Sequence, residues 1–533
     1  MATTIERPAQ APAVQVPDAF NVADYLVDRH VREGRGGRTA ILCGDDAVSY
    51  AEVADRSNRV AAGLRALGLR REERVLLLLL DSPAFVYSFF GAQKLGAVPI
   101  PTNTLLTTAD YRYMLNDSRA RVAIVSEPLL PRLAAIPPHE LPYLEHVVVD
   151  GAAGDGTSGF AQLLAAPPIA EIAETSKDDA AFWLYSSGTT GFPKGAVHLH
   201  HDILHTVVYY AQGVLGINAG DRTFSVAKLF FAYGLGNALT FPFAVGATTI
   251  LWPGPPTPPN VYAQVERFKP TLFFSVPTNY GQLLAHHRDG ADFDLSSVRQ
   301  AVSAGEALPR ALYERFKDRF GVEILDGIGS TEILHIFISN RAGRARPGSA
   351  GELVPGYEAR IVDDGGADVA DGTVGNLLIK GDSTCAYYWN KHERTKDTIQ
   401  GHWIRTGDKF YREPDGYYWY AGRADDMLKV GGIWVSPVEI ENTLVEHPAV
   451  LEAGVIGRRD ADGLEKPMAY VVLAREYVPS AELAKELQDF VRGKIAEYKR
   501  PRWVEFVEAL PKTATGKTQR FKLRETAASE PVA

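Results

Sequence analysis

The run RVLLLLL, Arg74 to Leu80, constrains the fold more than any other stretch of this sequence. It has no polar alternation, so it needs apolar cover on both faces, as a central strand of a parallel α/β sheet has. It is far shorter than the ~20 residues that span a bilayer. Helical and strand patterns alternate around it from about residue 20 to 180. SYAEVADRSNRVAAGLRALGL has helical spacing with Gly68 near its end, and AFVYSFFGAQKLG is helical. AVPIP is extended, YRYMLNDS precedes RVAIVS, and HVVVD follows. This alternation predicts an α/β fold with a largely parallel sheet.

A second α/β stretch is expected over about 181–345. ATTILWPGPPTPP ends in a proline-rich loop, PTLFFSVPTNYGQLLA and VRQAVSAGEALP each read as strand then turn, and EILDGIGSTE is an apolar run ending in polar residues. Ligands of open α/β sheets collect at the carboxyl ends of strands, so these polar segments can share one cleft. From about 346 to 424 the text is β-rich and turn-rich, with GYEARIVDDGG, VGNLLIKG and YYWYAGR. The aromatic GYYWY reads as strand packing. The expected division is therefore a large domain, 1–424, and a small mobile α+β domain, 425–533.

Composition narrows the partners. A formal net charge of −9 argues against nucleic acid. The two cysteines, Cys43 and Cys385, form neither a metal spacing nor a disulfide framework, which fits a reducing cytoplasm. The Ala/Pro-rich start, MATTIERPAQAPAVQVP, has no apolar signal core and reads as a disordered tail. No membrane partner is expected.

The stretch YSSGTTGFPKG, Tyr185 to Gly195, has the ingredients of a phosphate loop. Glycines let backbone N–H groups approach an anion, Ser186, Ser187, Thr189 and Thr190 add hydroxyls, and Lys194 adds a charge. The Walker pattern fails, because Pro193 stands at the second glycine position and Gly195 follows the lysine. On composition alone a surface loop is as good a reading. His198, His200 and His201 invite a metal reading, but a structural one is preferred, because no carboxylate or cysteine ligand is seen beside them.

Four segments in order carry a stronger signal: YSSGTTGFPKG, DGIGSTE (326–332), RTGDKFYREPDGYYWYAGRADDMLKVGG (405–432) and PKTATGK (511–517). Together they resemble the acyl-adenylate-forming superfamily of acyl-CoA ligases, adenylation domains and luciferases, over about residues 20–525. FFAYGLGN, DGIGSTEILHIF and KVGGIWVSPVEIE resemble benzoate–CoA ligases within it. The resemblance implies ATP-dependent activation of a carboxylic acid as an acyl-adenylate, with pyrophosphate released, then displacement of AMP by the thiol of coenzyme A. Such chemistry needs positioning and charge neutralisation.

By the same resemblance, the loop Ser186, Ser187, Gly188, Thr189, Thr190, Gly191 and Lys194 would hold the β- and γ-phosphates. Thr331 would bond the α-phosphate and Glu332 would hold Mg²⁺. Gly305, Glu306 and Ala307, with Asp326, Gly327 and Ile328, would lie along the nucleotide. Asp408 would take the ribose hydroxyls, with Arg423 beside it. Lys517 would stabilise charge during adenylation. The C-terminal domain would rotate about Asp425 between half-reactions, bringing Lys429 and Gly432 to the cleft for thioester formation. Each role has a plainer rival: a turn at Asp408, a surface arginine pair for Glu332, a solvated tail for Lys512 and Lys517.

The acyl pocket would be lined by Phe231, Ala232, Tyr233, Gly329, His335 and Ile336. Aromatic walls without an acidic residue suit a flat apolar ring and disfavour an amino acid. Two departures stand out. Phe231 occupies a position where many relatives have histidine, and Ile328 one where many have an aromatic residue stacked on adenine, a role offered here to Tyr357. Only sixteen residues follow Lys517, too few for a carrier domain, so coenzyme A is the expected acceptor. Hydroxybenzoate or aminobenzoate as substrate, and an inactive nucleotide-binding regulator, are the alternatives. A homodimer, and a lysine acetyltransferase acting on Lys517, are the partners the resemblance allows.

Overall fold

The computed structural model describes residues 13–188, 191–286, 293–424, 426–430, 433–460, 464–512 and 518–529. Most of the alanine/proline-rich start lies outside them.

The strand of the apolar run, Arg74–Leu78, sits inside a five-stranded all-parallel sheet. Its neighbours are Val98–Pro101 and Val122–Ser126, followed by His146–Asp150 and Ser158–Gly159. Helices Tyr50–Ala66 and Pro83–Lys94 cover it. The first begins at a capping box in which Ser49 and Glu52 satisfy each other's backbone N–H. The helices cross closely at Gly91, where a Cβ would lie 2.9 Å from the Ser57 carbonyl oxygen.

The second sheet has nine strands. Its parallel centre runs Ile324–Gly329, Gln300–Ser303, Leu272–Ser275, Arg222–Ser225, Thr248–Ile250 and Thr39–Cys43. Antiparallel strands flank it: Glu352–Leu353 and Ile336–Ser339 on one side, Asp46–Ser49 on the other. This departs from the expected division of the chain. Residues 39–49 leave the 20–180 segment and complete the second sheet, with Ile41 opposite Thr249. Apolar patterning marks a strand but does not name its partner.

A long hairpin lies between the sheets, Ala180–Gly188 with Gly191–Leu199. A short strand, Tyr387–Tyr388, pairs with it at Val197 and Ala196. Trp183 and Val197 pack against Val98 and Ile100 of the first sheet. The remaining β-rich part is an antiparallel sheet of Glu358–Val362, Gly375–Lys380, Trp403–Arg412, Ile399–Gln400 and Tyr418–Arg423.

The C-terminal unit has its own core around Ile440, Leu444, Val455, Val471 and Leu487. Its sheet is Val450–Arg459, Glu465–Leu473 and Trp503–Phe506. Arg520 is locked between Glu441 (2.7 Å) and Asp426 (3.3 Å), and Arg524 also reaches Asp426 (3.0 Å). On the other side of the junction, Ala424 N–H donates to the Gly407 carbonyl at 3.0 Å. Asp426 N–H also donates back to the Arg423 carbonyl at 3.1 Å. Asp425, the expected hinge, lies outside the described residues.

Candidate active site

The carboxyl ends of the parallel strands open into a cleft of about 2000 Å³ between the large domain and the C-terminal unit. Its walls include Ser186, Lys194, Phe231, Gly305, Glu306, Ala307, Asp326, Gly327, Ile328, Gly329, Thr331, Glu332, Asp408 and Arg423, all expected from sequence. Thr189, Thr190, Gly432 and Lys517 lie outside the described residues, as do the side chains of Ser187 and Lys429. Gly188 and Gly191 face each other across the hairpin ladder. Lys512 and Thr518, which bracket Lys517's segment, line the cleft and form an isolated bridge.

The phosphate-loop hairpin meets the acidic turn directly. Ser186 donates to Glu332 Oε1 at 3.1 Å and the Tyr388 hydroxyl donates to the same oxygen at 2.7 Å. The Lys194 ammonium lies 4.5 Å above the Tyr388 ring. Burial works against the charge on Glu332. The bond from Tyr388 and the nearby Lys194 outweigh it and hold the carboxyl below its ordinary value. Burial lowers Lys194, with Glu332 opposing. Glu332 is therefore a site carboxylate and not a surface partner of an arginine. Sequence reading missed Tyr388: CAYYWN reads as an aromatic strand, and only its pairing opposite Ala196 brings the hydroxyl to Glu332.

Asp408 and Arg423 are opposite one another in adjacent strands, with Arg423 Nη1 3.2 Å from Asp408 Oδ1. Asp408 belongs to a strand, although its neighbour Gly407 has φ +80°. That backbone state favours glycine, and a Cβ at Gly407 would fall 2.9 Å from the Arg423 guanidinium, which would have to move. Gly305 has φ +98°, turning the chain beneath Glu306, whose carboxylate accepts from Thr278 at 3.2 Å. Lys512 of the C-terminal unit donates to the same Thr278 hydroxyl at 3.0 Å.

Asp326 is buried, and burial pushes its carboxyl up to about 8, against the bond from Leu308 N–H. The folded state keeps this proton to about pH 8, whereas an unfolded aspartate loses it near pH ~4. The folded chain then binds more protons between those values. Stability from this group therefore falls as pH rises from about 4 to about 8 and is level above. Asp326→Asn is expected to remove the slope, gaining more Tm over the parent at pH 8 than at pH 5. Equal changes at both pH values would contradict a raised Asp326.

Of the acyl-pocket residues, Phe231, packed on Phe230 at 4.4 Å, and Gly329 stand on the cleft wall. Ala232, His335 and Ile336 are buried, and Tyr233 is part-buried. The Tyr233 hydroxyl donates to the Val302 carbonyl at 3.1 Å. His335 Nε2 is 3.1 Å from Asn237 Oδ1, and burial lowers its imidazole to about 3, so it is neutral. Tyr357 does not reach the nucleotide cleft. It is buried on Tyr209, with its hydroxyl 2.7 Å from Ser383 Oγ.

The histidine cluster also needs correction. A carboxylate does stand beside it: Asp202 Oδ2 is 2.7 Å from His198 Nδ1, and Asp202 Oδ1 is 3.1 Å from His201 Nε2. Among the described residues no group of three or more His, Cys, Asp or Glu side chains is placed to hold a metal ion. No helix among them is long and apolar enough to cross a membrane.

The cleft gathers hydroxyls and a lysine on one wall and the Asp408 carboxylate on another, between a large α/β domain and a small C-terminal unit. The chain belongs to the AMP-binding enzyme family, which matches residues 27–389, with the family's C-terminal domain matching 439–517. It is 51% identical to a benzoate–CoA ligase of Thauera aromatica, over 96% of this chain and 97% of that one. It is 44% identical to a 4-hydroxybenzoate–CoA/benzoate–CoA ligase of Rhodopseudomonas palustris, over 95% and 94%. Among solved structures, a benzoate CoA ligase from Burkholderia xenovorans LB400 matches with TM-score 0.88 and 49% identity, over 95% of this chain and 100% of that one. An anthranilate CoA ligase in complex with anthranoyl-AMP matches with TM-score 0.93 and 47% identity, over 96% and 98%.

Proposed function

We propose that this chain is a benzoate–CoA ligase, joining benzoate to coenzyme A through benzoyl-adenylate. The observation that carries this reading is the meeting of Lys194, Ser186, Thr331 and Glu332 at a cleft that Phe230 and Phe231 also line. The extent of likeness to the Thauera benzoate–CoA ligase supports the acid and the acceptor.

In the first half-reaction a benzoate oxygen attacks the α-phosphorus of ATP. The bond from that phosphorus to the bridging oxygen breaks, and pyrophosphate leaves with the electron pair. Lys194 and the hairpin hydroxyls bind the departing phosphates, Thr331 holds the α-phosphate, and Asp408 orients the ribose. The residues present fit Mg²⁺: Glu332 is a carboxylate that stays ionised among hydroxyls, a hard-oxygen site that leaves room for phosphate and water ligands. Mg²⁺, when bound, supplies neutralisation of phosphate charge. In the second half-reaction the thiol sulfur loses its proton, attacks the acyl carbon and expels AMP. Lys517 stabilises charge during adenylation; Lys512 and Thr518, on either side of its segment, line the cleft.

The test is pyrophosphate release with ATP, Mg²⁺ and a panel of acids, with and without CoA. CoA-dependent turnover strongest on benzoate is expected. A preference for aminobenzoate is the second reading, favoured by the likeness to the anthranilate ligase. One small substituent in an apolar pocket is worth only about 1–3 kcal/mol, so the two are close competitors. No turnover with any acid would favour a nucleotide-binding regulator.

Tyr388→Phe tests the cluster. The lost bond is one that keeps Glu332 ionised, so its carboxyl should rise and the acid limb of the pH–rate profile of pyrophosphate release should move to higher pH. An unmoved limb would remove Tyr388 from the site's electrostatics.

A further inference from the structure

His198 is fully buried and cannot touch a ligand in the cleft, yet it is bonded at both ring nitrogens. Nδ1 is 2.7 Å from Asp202 Oδ2 and Nε2 is 2.8 Å from the backbone carbonyl oxygen of Thr331. Phe182 stacks on the ring at 5.3 Å and 17°. Asp202, also fully buried, is held in turn by Leu199 N–H at 3.1 Å. A backbone carbonyl only accepts, so Nε2 donates to Thr331 while Asp202 fixes the other ring nitrogen.

The far end of this chain of bonds is the turn Thr331–Ile333. It is a single 3₁₀ turn, too short to fix itself. It is followed by Leu334 at φ +71°, a backbone state that bulky residues avoid. Three outside donors hold its three consecutive carbonyls. His198 Nε2 takes Thr331, Cys385 N–H takes Glu332 at 2.7 Å, and Ser383 Oγ takes Ile333 at 2.9 Å. Two of these come from 383–385. His198 comes instead from the strand that carries Lys194, four residues away on the same face. It is thus a direct strut between the phosphate hairpin and the turn.

We propose that His198, oriented by Asp202, is a positioning residue that fixes Thr331 against the hairpin and so sets the α-phosphate site. The proposal rests on the reading that Thr331 bonds the α-phosphate of the nucleotide. It predicts an effect specific to phosphate, which general loss of packing would not give.

The test is calorimetric binding of AMP and of adenosine to the full chain. The parent should bind AMP more tightly than adenosine. His198→Ala should lose about tenfold in AMP affinity, the scale of one misplaced bond to a charged group, and keep its adenosine affinity. His198→Gln, whose amide N–H can still reach the carbonyl, should recover most of the loss. If His198→Ala does not fold, Asp202→Asn replaces it, with a loss in the same direction. Equal losses for AMP and adenosine, no loss for either, or a Gln variant as poor as Ala would overturn the proposal. A parent that does not prefer AMP would instead sink the reading of Thr331, and the proposal with it.

Discussion

Lys517→Ala is expected to cut benzoate-dependent pyrophosphate release by about 10²–10³-fold, the scale of losing one preorganised charge at a transition state. Thioester formation from synthetic benzoyl-AMP and CoA should stay within about threefold of the parent, because that step releases no pyrophosphate and, on the proposed rotation, proceeds with the C-terminal unit turned away. Measuring both half-reactions on one preparation separates this from damage to the fold, which would depress them together. Acetylating Lys517 removes the same charge and should reproduce the split. Acetylated enzyme that makes benzoyl-AMP at the parent rate would refute the assignment. Lys512 of the C-terminal unit donates to the Thr278 hydroxyl, which in turn donates to Glu306 on the expected nucleotide wall.

Glu332→Gln is the second large effect. It keeps the shape of the side chain and the bond from Tyr388 but removes the charge facing Lys194. Pyrophosphate release should fall by at least about a hundredfold, with the Mg²⁺ concentration for half-maximal rate displaced upward. AMP binding measured without metal should change little, since Thr331 and Asp408 remain. A variant with an unchanged Mg²⁺ requirement would show that another group holds the metal. The measurement also bears on Lys194: with its counter-charge gone, burial and the Arg394 and Arg423 charges lower the ammonium further.

Much of this site was legible because its chemistry is concentrated in short segments. A glycine–hydroxyl–lysine hairpin, a Thr-Glu turn and the Asp408 strand each carry their function within a few residues, and their order along the chain identifies the family. What the sequence concealed was pairing. Tyr388 looks like one aromatic among several in CAYYWN, and its role follows from a two-residue strand added to a hairpin about 190 residues earlier. Tyr357 looked available to the nucleotide, but packing on Tyr209 and a bond to Ser383 keep it in the core. Tyr233 and His335 belong to the expected pocket by motif, and only the structure shows that the Tyr233 hydroxyl and His335 Nε2 are bonded to Val302 and Asn237.

The sequence by itself determined the kinds of element and the chemistry they carry. The apolar run at Arg74–Leu78 demanded a sheet covered on both faces, and the Ser49–Glu52 box fixed where a helix starts, because both are settled by neighbours in the chain. Only the tertiary structure decided which strands share a sheet, that residues 39–49 complete the second one, and that His198 braces Thr331 across 133 residues. The reason is physical. A strand's pattern states which face needs burial, while its partner is chosen by the whole chain's competition to bury such faces and satisfy its backbone, which no local stretch encodes.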